Sequence, residues 1–124
     1  MKRLFRNATL INEGRSFTAS LLTSGAQIEK IYEGTDTFPE ALLSEVDELV
    51  PAEGLWLLPG CIDDQVHFRE PGLTHKATIE SESKAAIAGG TTSFMEMPNT
   101  KPPTTSLEAW QWKMDRAAET SWAN

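Results

Sequence analysis

Cysteine is nearly absent from this chain. Cys61 is the only one in 124 residues, which rules out an internal disulfide and fits a reducing, cytoplasmic setting. Basic residues are also scarce: 11 Lys and Arg stand against 18 Asp and Glu, a formal charge of −7. The deficit is evenly spread, with 5 basic and 9 acidic groups over residues 1–58 (−4) and 6 and 9 over residues 59–124 (−3). Without clustered Lys and Arg, nucleic acid and anionic membrane surfaces are excluded as partners. Long apolar runs are missing too. Leu55-Trp56-Leu57-Leu58 falls far short of a membrane span, and the opening MKRLFRNATLINEG lacks the apolar core of a signal peptide. There is no internal repeat and no low-complexity tract. The length suits one ordinary domain, burying roughly two-thirds of its unfolded surface. It is too short for a complete (β/α)8 barrel of about 250 residues.

What is present divides at Pro59-Gly60. The first part, residues 1–58, reads as β: strands are predicted at Leu4–Ile11, Ser16–Leu22 and Gln27–Tyr32, with turns at Asn12-Glu13-Gly14 and Ser24-Gly25. A short helix is predicted at Pro39–Val46, and Leu49-Val50 and Leu55–Leu58 flank a hairpin-like turn at Ala52-Glu53-Gly54. From residue 59 the order is strand, loop, helix, strand, loop, helix. Cys61-Ile62 opens the first strand, Thr78–Ala88 is a helix with an i,i+4 pair Glu80/Lys84, and Thr91–Met97 is the second strand. Thr105-Ser106-Leu107-Glu108 reads as a capping box opening a helix with Leu107, Trp110 and Met114 on one side. A β-α-β-α order implies an α/β class with a parallel sheet. Two such units cannot close a barrel, and the absence of a convincing terminus at Ser121–Asn124 reads as an incomplete chain. An unfinished sheet exposes an apolar edge, so the piece alone is expected to fold poorly.

Polar side chains bunch where these strands end, the place where parallel α/β folds bind ligands. Alternation puts Asp63, Gln65 and His67 on one strand face, with Arg69 on the same side if extension persists. Met97-Pro98-Asn99-Thr100 ends the neighbouring strand. A carboxylate, an imidazole and a guanidinium on one face suggest a metal or anion site. By spacing alone the plainer readings stay open. A lone His at a strand end is more often a hydrogen-bonded structural residue, and Arg69 beside Glu70 reads equally as a surface ion pair worth less than about 1 kcal/mol. Cys61 is expected to be buried and inert, His75 solvated, and the four Trp residues to serve packing or a domain interface.

The string from Pro59 to Lys76, PGCIDDQVHFREPGLTHK, resembles the first barrel strand and loop of dihydroorotases, members of the amidohydrolase superfamily. Ala88-Gly89-Gly90-Thr91-Thr92 followed by Met97-Pro98-Asn99-Thr100 is similar to the same family. The combination of Arg-Glu-Pro-Gly with Met-Pro-Asn-Thr is its specific part. The resemblance implies that residues 1–58 are the N-terminal part of a small β-sandwich domain. Residues 59–124 would then start a TIM-type (β/α)8 metal-dependent hydrolase barrel. It implies a zinc-dependent cyclic amide hydrolase, interconverting N-carbamoyl-L-aspartate and L-dihydroorotate in pyrimidine biosynthesis, with a metal-activated hydroxide as nucleophile. His67 would be a metal ligand and face the substrate, and Arg69 would hold the substrate carboxylate in a bidentate fork. Asn99 would be a second carboxylate contact and Asp63 would orient a ligand imidazole.

The family pattern is Asp-x-His-x-His, whereas Gln65 occupies the first His position here. An amide oxygen is a weaker zinc ligand than imidazole. Three outcomes follow: a single-metal enzyme, a weakly binding Gln65, or a catalytically inactive homologue acting as a structural partner of aspartate transcarbamoylase. The family's later ligands and its catalytic Asp lie on strands beyond residue 124, so the fragment alone is expected to be inactive, and the intact parent to form a homo-oligomer.

Overall fold

The computed structural model describes residues 1–124, which form two compact units, Met1–Pro59 and Gly60–Asn124. No helix is long and apolar enough to cross a membrane.

The first unit is a five-stranded mixed sheet of β1 (Lys2–Asn12), β2 (Arg15–Ser24), β3 (Gln27–Glu33), β4 (Glu48–Pro51) and β5 (Trp56–Leu57). β1 and β2 pair antiparallel, as do β2 and β3. The expected hairpin across Ala52-Glu53-Gly54 does not form. β4 and β5 do not pair with each other; both run parallel to β1, at Arg3–Arg6 and at Thr9-Leu10, as one interrupted edge strand. The cause lies in β1, where the register shifts between Phe5 and Ala8 and Asn7 takes a positive φ of 56°. The Asn7 side chain secures this bulge: its Oδ1 accepts from the Asp36 N–H and Ser20 Oγ, and its Nδ2 donates to Asp36 and Glu53.

A bulge of one residue switches which side chains face which way. Before it, Leu4 packs with Leu22, Phe38 and Leu42; after it, Ala8 and Leu10 pack with Ala19, Leu21 and Ala52. One strand thus feeds two apolar clusters. The helix expected at Pro39–Val46 is a 3-10 turn over Glu40–Ser44 that seats Leu42 in the first of them.

Asp36 also receives two hydrogen bonds from Arg6, at 2.7 and 2.9 Å. The Arg6 guanidinium, followed by the Asn7 amide, holds the Asp36 carboxyl below its ordinary value of 3.8. The unfolded chain therefore binds more protons than the folded one in that acid range. The stabilisation is whole above 3.8 and is lost as pH falls through the lowered folded value. Acid titration followed by circular dichroism is expected to show this loss, and Asp36→Asn is expected to flatten it.

The second unit pairs β6 (Cys61–Val66) in parallel with β7 (Thr91–Glu96). α1 (Ile79–Ala88) connects them and packs on β7 and on α2 (Leu107–Thr120). Thr78 and Ser81 cap α1 reciprocally, each side chain 3.1 Å from the other's backbone N–H. The expected Glu80/Lys84 pair is present at 2.8 Å. At α2 the cap is Ser106, one residue later than the expected box; position N3 is then Ala109, which has no side-chain acceptor to reciprocate. Leu107, Trp110 and Met114 are exposed, and α2 buries Lys113 instead. Cys61 is exposed rather than buried, since β6 has a hydrogen-bonded neighbour on one side only. All four Trp side chains are exposed as well.

Two glycines allow close approaches. A Cβ on Gly60 would lie 2.0 Å from Thr92 Oγ1. Gly72, at φ +81°, lies where the loop after β6 touches the loop after β7; a Cβ there would sit 1.8 Å from the Lys101 carbonyl oxygen. The same loops are joined by the Lys101 N–H donating to the Pro71 carbonyl at 3.0 Å. Gly72→Ala combines a left-handed backbone with a backbone clash. It is expected to cost about 2 kcal/mol or more, read as a lowered thermal midpoint of the intact protein.

Candidate active-site loops

The tips of β6 and β7 lie side by side because the strands are parallel, with the Met97 N–H donating to the Val66 carbonyl at 2.9 Å. His67 follows directly on β6 and Asn99 lies three residues past β7. His67 Nδ1 is 2.8 Å from Asn99 Oδ1. An amide oxygen only accepts, so in the neutral imidazole this contact puts the proton on Nδ1 and leaves the Nε2 lone pair available. It also leaves the two N–H groups of the Asn99 amide free to donate. Both side chains are exposed.

Regular extension does not reach Arg69. β6 ends at Val66 after an irregularity between Asp63 and Val66, where Asp63 Oδ1 accepts the Gln65 N–H at 3.1 Å. Arg69 has φ 70°, in the left-handed region, and its side chain is half-buried and makes no ion pair. Gln65 is exposed on β6. The surface pair considered between Arg69 and Glu70 does not exist. Glu70 is buried, and its two carboxylate oxygens accept from the Ile79 N–H and from Arg116 Nε, both at 2.9 Å. A carboxylate at the N-terminus of α1 also meets the positive end of the helix dipole.

A second carboxylate, its side chain 9% exposed, does similar work. Glu96 Oε1 accepts the Phe68 N–H at 3.1 Å, and Oε2 pairs with Lys113 Nζ. Lys113 also donates to the Met97 carbonyl at 3.0 Å. Burial pushes the Lys113 ammonium below its ordinary value. Of the buried residues in this unit only Phe68 and Ile79 are apolar, with Phe68 lying against Phe94 at 4.5 Å between ring centroids. Polar contacts therefore carry much of its organisation. Sequence reading took Glu70 only as a surface partner of Arg69 and passed over Glu96, Lys113 and Arg116. The available signals were a Glu between two Met at a strand end, and a Lys on a helix one turn from an Arg.

No three His, Cys, Asp or Glu side chains come together here that could hold a metal ion. His67 with one free nitrogen and Gln65 with a neutral oxygen do not make a zinc site by themselves.

A profile of the family described as Dihydro-orotase-like matches residues 54–124, more than half of the chain. The chain belongs to the dihydro-orotase-like family. It is 47% identical over 105 residues to a dihydroorotase of Wolbachia sp. subsp. Brugia malayi (strain TRS), spanning 85% of this chain and 23% of that relative. The dihydroorotase of Bacillus subtilis (strain 168) is 37% identical over 124 residues, spanning 98% of this chain and 27% of its own length. Among solved structures, the L-hydantoinase (dihydropyrimidinase) from Arthrobacter aurescens superposes with a TM-score of 0.86 at 26% identity, covering 98% of this chain and 26% of that one. The dihydropyrimidinase from Brevibacillus agri NCHU1002 gives 0.78 at 29% identity. This member of the dihydro-orotase-like family thus spans about a quarter of the length of these relatives, and its mixed α/β architecture is that of a hydantoinase segment.

Proposed function

We propose that the chain is the N-terminal part of a dihydroorotase, a zinc-dependent cyclic amide hydrolase. The intact enzyme would interconvert N-carbamoyl-L-aspartate and L-dihydroorotate in pyrimidine biosynthesis, in the cytoplasm. In this reading residues 1–58 contribute to a small β-sandwich and residues 59–124 supply the first two βα units of a TIM-type barrel. The observation that carries it is the contact between His67 and Asn99 across adjacent strand tips, 32 residues apart in sequence, with Arg69 two residues from His67 and free of any ion pair.

The substrate is a small carboxylate, and the loops offer complementary donors. Arg69 presents a planar guanidinium with no internal partner, and a guanidinium binds a carboxylate through two parallel hydrogen bonds. Asn99, with its oxygen committed to His67, turns its amide N–H groups to the same anion. The Asn99 contact also fixes the His67 ring, which keeps Nε2 as a donor atom for zinc; Gln65 would add a weak neutral oxygen. The remaining ligands would have to come from outside these residues, so no catalytic step is assigned to this chain. The comparisons lend no support to the alternative of an inactive partner of aspartate transcarbamoylase.

The test is to purify the intact polypeptide, measure zinc per chain and assay dihydroorotate formation from carbamoyl aspartate. Turnover with at least one zinc per chain supports the assignment. Less than one zinc and no product would overturn it.

A further inference from the structure

We infer that Lys113 and Arg116 of α2 are positioning residues for Arg69, acting through the buried carboxylates Glu96 and Glu70. The inference rests on the reading of Arg69 as the substrate-carboxylate contact and adds the residues that place it.

Arg69 sits in the left-handed backbone region at φ 70°, a conformation that side-chain-bearing residues keep only where their surroundings impose it. The structure shows what imposes it. On the N-terminal side, the Phe68 N–H is held by Glu96 Oε1 at 3.1 Å, and Glu96 is held by Lys113. On the C-terminal side, Glu70 is held by Arg116 Nε and by the Ile79 N–H, each at 2.9 Å. The Arg69 carbonyl itself accepts from the Leu73 N–H at 3.1 Å. Lys113 reaches further: its second bond, to the Met97 carbonyl at 3.0 Å, fixes the start of the loop that carries Asn99.

The two cations are three residues apart and so share one face of α2. One helix face therefore grips both strand-tip loops. These pairs also differ from ordinary surface ion pairs. The side chains of Lys113 and Glu96 are 10% and 9% exposed, against 49% for each partner of Glu80–Lys84. Buried ion pairs are often no better for stability than apolar residues of similar volume, so stability alone does not explain Lys113–Glu96 beside this loop. Placement of the Phe68 and Met97 backbone groups does.

The test uses the intact enzyme, with carbamoyl aspartate as substrate. Three changes are compared: E96M/K113M, which removes charges and backbone contacts together; E96Q/K113Q, which removes the charges but keeps groups able to accept from Phe68 and donate to Met97; and R69K. Thermal midpoints and separate KM and kcat values are read for each. The expected result is a folded E96M/K113M enzyme with KM raised about tenfold, and near-normal KM in E96Q/K113Q. In an R69K background, E96M/K113M should add less than about twofold, because both changes act on one contact. Effects of E96M/K113M and R69K that multiply, or an unchanged KM in stably folded E96M/K113M, would overturn the inference while leaving Arg69 as the substrate contact. If R69K itself leaves KM unchanged, the reading of Arg69 fails first and the inference falls with it. Should E96M/K113M not fold, R116Q, at a side chain 33% exposed, takes its place in the same cycle with the same two outcomes.

Discussion

Under the proposed function, Arg69→Ala in the intact protein is expected to lower kcat/KM for carbamoyl aspartate by about 100-fold, while the thermal midpoint stays near that of the parent. The magnitude follows from a charged hydrogen-bonded contact worth roughly 2–3 kcal/mol, since each 1.4 kcal/mol is tenfold. Stability should hold because Arg69 makes no ion pair in the folded chain. Removing the side chain leaves no buried partner stranded, and alanine tolerates φ 70° no worse than arginine does. Arg69→Lys should recover only a fraction of the activity, because a point charge cannot reproduce the two-pronged geometry. Steady-state kinetics at fixed zinc, alongside a thermal melt, would check both halves. An activity loss matched by an equal loss of folded protein would count against a role in binding.

Lys113→Met is expected to do the reverse, damaging the fold first. Glu96 would stay buried on its Phe68 N–H bond with no cation to balance it, and breaking a buried pair from one side costs about 3–5 kcal/mol. Denaturant titration of the intact protein should show that loss. Adding Glu96→Met should restore much of it, since the stranded charge is then gone. If Lys113→Met alone left stability within about 0.5 kcal/mol, the pair would be equivalent to an exposed one. Comparing the single and double variants separates the cost of an orphaned charge from the loss of the backbone contacts.

How much of this was readable from the residues depends on range. Helices and strands of the second unit could be placed, α2 to within one residue, because Thr78 and the Thr105-Ser106 pair offer capping hydroxyls, Gly89-Gly90 stops a helix, and Thr91–Phe94 is β-branched and aromatic, all local signals. His67 and Asn99 could be paired in advance only through the parallel topology, which brings strand tips together across 32 residues. The hairpin at Ala52–Gly54 was misread because a turn signal does not say which strand each flank joins, and both flanks joined β1. Glu70 looked like the partner of its neighbour Arg69, yet its cation, Arg116, lies 46 residues away. Lys113 was hidden for a related reason: on a helix read by its apolar spacing, a lysine defaults to the solvent face until a buried acceptor is known.

The irregularity at Asn7 has a consequence for how this sheet can change over evolution. Because the inward positions of β1 are even-numbered on both sides of Asn7 yet point into opposite clusters, neither half can slide by one residue independently. A residue lost from either flank would turn part of that half toward the wrong cluster, and loss of Asn7 itself would remove the side chain that bonds Ser20, Asp36 and Glu53. Length variation in this unit should therefore gather in the turns, leaving the span from Leu4 to Leu10 constant in length.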